Sequence, residues 1–443
     1  MLIRRDTLRR QLTANPVSLL CHDDAQPGPK RGDCGGATSK TAANHDKIRL
    51  QLPWKFVGRA AASQPHGNCG HTESQLGQTL AAVDLHLLKT HFVDRVAKMF
   101  SIALRFTFVN PACAGLDCMD RYDIRKDYTW NFDHAPEPVV GDVPAVDGDW
   151  TYCGQPVDSP LGIAAGPLLN GRWLLYYASL GFDILTYKTV RARERASYGL
   201  PNLQPIAWPN EVALPEEVVT TVAMEGNWAI SFGMPSKPPR FWQDDVAAAR
   251  ERLAKGKFLS VSVVATPGLD DSIDDVAADY ARCARWAADS GADGVEANFS
   301  CPNVSSVDGQ LYLNAADAGL VAARLREAIP DKPLLLKVGH FAERDNAQAF
   351  FEAVAPQVDA LVMVNGVSTR VRDECGELLF EGRCRGSGGE AIRGLVFEQL
   401  AWFAEFIRES SRPVRLVGVG GLGQAADVVQ ALGQGCAVNN FFK

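Results

Sequence analysis

GVEANFSCPN, residues 294–303, is the stretch that decides the fold. Gly294 to Ser300 reads as a short, largely apolar strand that ends abruptly in polar groups: Asn298, Ser300, Cys301 and Asn303, with Pro302 fixing the backbone immediately after the thiol. Such a strand places hydrogen-bonding groups at the carboxyl edge of a parallel sheet, where α/β proteins bind their ligands. Two amides flanking a thiol suit a flat ring with carbonyl and amide edges. Cys301 can act as a general base if neighbouring donors or cations lower its pKa. Composition alone fits a buried, inert cysteine better.

Working outward, the same pattern repeats. After Asp158, apolar runs of five to eight residues alternate with amphipathic segments, and eight strands can be read: 161–166, 183–190, 258–265, 294–300, 333–339, 360–366, 415–421 and 436–442. Between them lie helices such as Ser272 to Ser290, where Ile273, Val276, Ala277, Tyr280, Cys283, Ala284 and Ala287 share one face. Eight parallel strands favour a closed (β/α)8 TIM barrel, although periodicity alone does not exclude an open doubly wound sheet.

The strand ends are polar and glycine-rich: AAG with Ala165 and Gly166, YKT with Lys188, LKVGH with Lys337, VNG with Asn365, and GVGG with Gly420 and Gly421. Lys188 and Lys337 each close an apolar strand, where a lysine must meet an anion or escape to solvent. A flavin would satisfy both; two lysines snorkelling at the barrel rim would fit either one alone. GSGGEAIRG at 386–394, carrying Gly388 and Gly389, and GVGGL at 418–422 bring backbone N–H groups close to a partner, with helices following. Phosphate can be held in this way without a Walker sequence, and in barrels its site commonly falls near the last two strands.

Bulk properties exclude several alternatives. With a net charge of −7, the chain is no general nucleic-acid binder. Its 11 cysteines include no CxxC pair, which argues against a zinc or iron–sulfur site and for reduced thiols in the cytoplasm. No metal site and no membrane span are expected. The four arginines of the first twenty residues precede no sustained apolar run, and MFSIALRFTFV is interrupted by Arg105. Residues 1–118 read as an irregular extension, or as a start called too far upstream, with helical spacing only between Val83 and Phe108; 119–157 lead into a barrel domain at 158–443.

Residues 161–438 resemble the dihydroorotate dehydrogenases and the related pyrimidine-binding domain of dihydropyrimidine dehydrogenase. NFSCPN is similar to the family's NxSCPN hallmark, and AAG, the two strand-end lysines, Asn365, GG-xAIR and GxGG follow in the family's order. The resemblance implies a TIM barrel holding FMN, a dihydropyrimidine stacked on the flavin, and oxidation of dihydroorotate to orotate in pyrimidine biosynthesis. Hydride would pass from C6 to flavin N5 and the C5 proton to Cys301, which matches the cysteine base of the soluble class. Asn298, Asn303 and Asn365 match substrate-binding asparagines. Lys188 and Lys337 match flavin-contacting lysines, with Lys188 also at the substrate; Ala165, Gly166, Gly388, Gly389, Gly420 and Gly421 fall on the cofactor side. The electron acceptor is unassigned, and the soluble members imply a homodimer.

Three departures from the family pattern stand out. Where NSMGLPN supplies another substrate asparagine, this chain reads ISFGMPS, with Ile230 at that place. Gly366 follows Asn365 where Thr or Ser is usual, removing a hydroxyl from the substrate side. The C-terminal GCAVNNFFK lacks the Gly-Thr phosphate contact and the last helix. The first two favour an alternative, an FMN enzyme acting on another ring; the third favours a catalytically defective member.

Overall fold

The computed structural model describes residues 122–141, 143, 145–209, 214–222, 226–268, 270–300 and 307–441. The expectations for residues 1–118, including the helix between Val83 and Phe108, lie outside these residues.

Eight strands form one closed, all-parallel barrel in the order β3 (Leu161–Ile163), β4 (Ile184–Val190), β8 (Phe258–Val263), β9 (Gly294–Asn298), β10 (Leu334–Lys337), β11 (Ala360–Met363), β14 (Arg415–Val419) and β15 (Cys436–Phe441). Each of the eight apolar runs supplies one strand. β15 pairs with β14 and with β3, so closure removes every edge from this sheet. It is also the last element described.

Helices cover the outside. They are α2 (Gly171–Ser179), α3 (Pro239–Arg252), α4 (Ile273–Asp289), α5 (Ala315–Ala328), α6 (Arg344–Val354), α7 (Arg393–Ser410) and α8 (Ala425–Gly433), after a short lead-in helix α1 (Tyr128–Asp133). α4 illustrates their logic: Ser272 and Asp275 close a capping box at its start, and Val276, Ala277, Tyr280, Cys283, Ala284 and Ala287 are buried on the face read from the sequence. Phe341, Phe351, Phe403 and Phe406 stack between α6 and α7, with centroid spacings of 5.4–6.2 Å.

Polarity changes along the barrel interior. Ile184, Phe258, Leu335, Ala360, Val362 and Val417 form an apolar plug, and Tyr152, from the hairpin β1 (Thr151–Tyr152) and β2 (Gln155–Pro156), closes the end where the strands begin, its ring 4.8 Å from Phe258. Towards the other end the interior carries Ser262, Glu296, Asn298, Lys188 and Lys337, all buried. The barrel is therefore solid at its amino end and chemically equipped at its carboxyl end.

A second, five-stranded closed sheet stands on that mouth. Its strands come from two insertions: β5 (Leu203–Ala207), β6 (Glu217–Thr220) and β7 (Asn227–Ile230) between β4 and β8, and β12 (Val367–Arg372) and β13 (Arg385–Gly389) between β11 and β14. The pairing of β7 with β13 and of β6 with β12 joins them, and Glu217 bridges Arg370 at 3.0 Å and Arg372 at 2.6 Å across the second seam. None of these five strands was among those read from the sequence.

Phe403→Ala would open a cavity in the α6–α7 aromatic stack. Chemical denaturation should show a loss of about 3–5 kcal/mol relative to the parent protein.

Candidate active site

A cleft opens at the barrel mouth. Ala165 and Gly166 follow β3, Lys188 comes from β4, Asn298 from β9, Lys337 from β10, and Asn365 and Gly366 follow β11; Gly386 and Ser387 of β13 form the roof. Lys188 is 8% exposed and Lys337 5%. Six of the residues expected from sequence thus meet in one place: Ala165, Gly166, Lys188, Asn298, Lys337 and Asn365.

The strand end after β9 is held firmly. Tyr280 Oη donates to the Asn298 carbonyl at 2.8 Å, the Phe299 N–H to the Lys337 carbonyl at 2.9 Å, and the Ser300 N–H to Asn298 Oδ1 at 3.1 Å. Asn365 Nδ2 donates to the Ser300 carbonyl at 2.5 Å. Cys301 and Asn303, the expected base and third amide, lie outside the described residues.

One wall is apolar. Ile230, Phe232 and Met234 line it, Lys188 sits 5.3 Å from the centre of the Phe232 ring, and Asn298 Nδ2 approaches Met234 Sδ at 3.8 Å. Tyr122 and Tyr128 hold Phe232 from behind, each edge-on at 5.7 Å. Arg191, wholly buried, fastens the same loop to the barrel: its Nε donates to the Met234 carbonyl at 3.0 Å and its Nη1 to the Ala265 carbonyl at 2.6 Å and to Thr266 Oγ1 at 2.9 Å. Arg191 was not singled out from sequence, because nothing in RARER tells a clamp from a rim cation.

The glycine segments lie against each other beside the cleft. Gly389 and Gly421 have φ of 110° and 67°, so a side chain at either would be strained. A Cβ on Gly421 would sit 2.5 Å from the Gly389 carbonyl oxygen, and one on Gly389 would strike the Gly226 carbonyl. These glycines let the two turns touch. The first N–H groups ahead of α8, at Gly423 and Gln424, are already taken by Asp427 Oδ2 at 2.9 Å. Arg393 lies alongside, 3.1 Å from Glu390 and 3.7 Å from Asp427, and was not among the site residues expected from the sequence.

The donor set fits a flavin. Lysines and amides converge on the cleft, the apolar wall offers a face for a flat ring, and the glycine turns with Arg393 offer N–H and guanidinium donors for a phosphate. No group of three or more potential metal ligands occurs among the described residues, and none of their helices is long and apolar enough to cross a membrane.

No family model matches the chain. A dihydroorotate dehydrogenase of Dictyostelium discoideum is 29% identical over 323 residues, which span 68% of this chain and 87% of that protein. Over most of the barrel, this chain is similar to the dihydroorotate dehydrogenases. A dihydroorotate dehydrogenase (quinone) of Marinomonas sp. (strain MWYL1) is 30% identical over 174 residues, 38% of this chain and 49% of that protein. Two crystal structures of DHODH from Eimeria tenella share the fold: one with ferulenol at TM-score 0.52 and 14% identity, covering 65% of this chain and 77% of that one, and a ligand-free one at TM-score 0.53 and 13% identity, covering 66% and 81%. Dihydroorotate dehydrogenases are flavin-dependent oxidoreductases acting on CH–CH groups.

Against this dihydroorotate dehydrogenase background, Gly366 acquires a structural reason. A Cβ there would lie 3.0 Å from the Ser387 carbonyl oxygen of β13, so the roof strand occupies the room a hydroxyl side chain would need. Gly366→Ser should lower stability by about 1–3 kcal/mol, as overpacking does, without improving substrate binding. Thermal denaturation together with substrate KM checks both halves.

Proposed function

We propose that this protein oxidises dihydroorotate to orotate using FMN, with Cys301 removing the C5 proton. The observation that carries the reading is the convergence of Lys188, Lys337, Asn298 and Asn365 on one cleft at the carboxyl end of the barrel. Residues 158–443 are the catalytic unit. FMN bound here would supply a hydride acceptor at N5.

The protein's own groups divide the remaining work. With FMN bound, Lys337 would hold the N1–C2=O edge of the flavin, where a preorganised cation would stabilise the negative charge of the reduced form. Ala165 and Gly166 would give the ring close access to the strand ends, and Gly388, Gly389, Gly420 and Gly421 would hold the phosphate side. Asn298, Asn303 and Asn365 hold the carbonyl and amide edges of the pyrimidine, and Lys188 stands on the substrate side above the Phe232 ring. The loop carrying Ile230, Phe232 and Met234 keeps water from the ring face. Cys301 takes the proton; a cysteine in this motif is of the soluble, cytoplasmic, dimeric type, and the electron acceptor is a separate small molecule or protein.

Ile230 favours a second reading, oxidation or reduction of a different cyclic substrate, because an apolar side chain stands where the family supplies an amide. An absorbance spectrum of the purified protein, followed by anaerobic dihydroorotate, separates the two. Bleaching of the flavin band supports dihydroorotate; an unbleached band moves the substrate elsewhere.

Three variants probe the roles assigned here. Cys301→Ala should keep its flavin but be reduced by substrate about 10²–10⁴-fold more slowly in stopped flow, and unchanged reduction would remove Cys301 from the mechanism. Lys337→Ala should lose flavin on gel filtration. Ile230→Asn should lower KM for dihydroorotate if that is the substrate, and raise or leave it unchanged if another ring is used.

A further inference from the structure

Glu296 is a carboxyl group that the reaction above does not use. It lies two residues before Asn298 on β9, so strand alternation turns both into the barrel, and the register sets Glu296 beside Ser262 of β8 and Leu335 of β10, one rung below the Asn298–Lys337 pair. It is 0% exposed. Neither carboxyl oxygen has a hydrogen bond of ordinary geometry among the described residues, although the Ser262 hydroxyl, shared with Thr189 at 3.0 Å, is turned towards it.

Packing alone gives no reason for an acid here. Leu335, Val362 and Val417 fill neighbouring interior positions with hydrocarbon, and a leucine or valine at 296 would continue that plug. A carboxyl group in such a place is costly unless a charge answers it. Burial pushes the Glu296 carboxyl up from its ordinary range, and Lys337, the cation whose field reaches it, pulls it back. Lys337 in turn faces the cleft.

We propose that Glu296 is the buried counter-charge of Lys337: a positioning residue that holds the ammonium group beneath the flavin N1–C2=O edge and limits how much positive field that edge receives. The inference rests on the flavin reading given above. Glutamine at 296 keeps the shape and removes a negative charge from below Lys337, which favours the flavin form carrying negative charge at N1.

The test uses the full-length, FMN-loaded protein and sulfite. The sulfur lone pair of sulfite bonds to flavin N5, leaving negative charge on the N1–C2=O edge. In Glu296→Gln the sulfite dissociation constant should fall about tenfold, and the two-electron midpoint potential should rise by the matching ~30 mV. In a Lys337→Gln background, measured at saturating FMN, the same substitution should have no effect, since Glu296 acts through the lysine. Glu296→Asp, which draws the carboxyl back by one methylene, should move both readouts in the same direction by less, and serves if the glutamine variant does not fold. Unchanged sulfite affinity and potential in a folded, flavinated variant would overturn the inference alone, even if stability fell. Parent protein that retains no flavin after reconstitution would overturn the flavin reading and this inference with it.

Discussion

The parallel register of β9 and β10 is the constraint on which the site depends. Lys337 stands opposite Asn298, and both strands end there, so a cation and an amide arrive at the same height on the inner wall of the barrel. Closure of the sheet through β15 and β3 then brings Lys188, Ala165 and Gly166 round to face them. A slip of one residue in either strand would turn Lys337 or Asn298 outward among the covering helices. The hydrocarbon plug below, sealed by Tyr152 over Phe258, makes such a slip expensive because it would also expose Leu335 or Val362 to the wrong side.

Above this frame the small five-stranded sheet acts as a roof. It joins segments more than 130 residues apart, from Leu203 in β5 to Arg385 in β13, and its seams are backbone ladders reinforced by the Glu217 bridges to Arg370 and Arg372. The roof explains two features at once. Ser387 lies close enough to Gly366 to crowd a side chain there, and the loop after β7, fastened by Arg191 and backed by Tyr122 and Tyr128, presents Phe232 and Met234 as an apolar wall.

The glycine turns beside the cleft are built differently. Glycine turns after β13 and β14 interlock through positive-φ backbone, and Arg393 at the start of α7 adds a cation among Glu390 and Asp427. With Asp427 occupying the N–H groups of Gly423 and Gln424, the donors left for an anion are the turn around Gly420 to Leu422 and Arg393 itself.

The sequence by itself determined the barrel and half of its mouth. Eight apolar runs separated by amphipathic helices specify parallel strands, because a strand buried on both faces cannot alternate, and the residue just past each run must then face the ligand. Lys188, Asn298, Lys337 and Asn365 were legible on that ground. Only the tertiary structure decided the rest. β6 and β7 are four residues long, and their identity as strands depends on partners about 150 residues away in β12 and β13, while β5, which contains Pro205, pairs in turn with β6 and β7. Gly366 reads in sequence as a lost hydroxyl and in space as room ceded to the Ser387 carbonyl. Glu296 and Arg191 look like ordinary charges in the chain; burial, which no local pattern records, is what makes them exceptional.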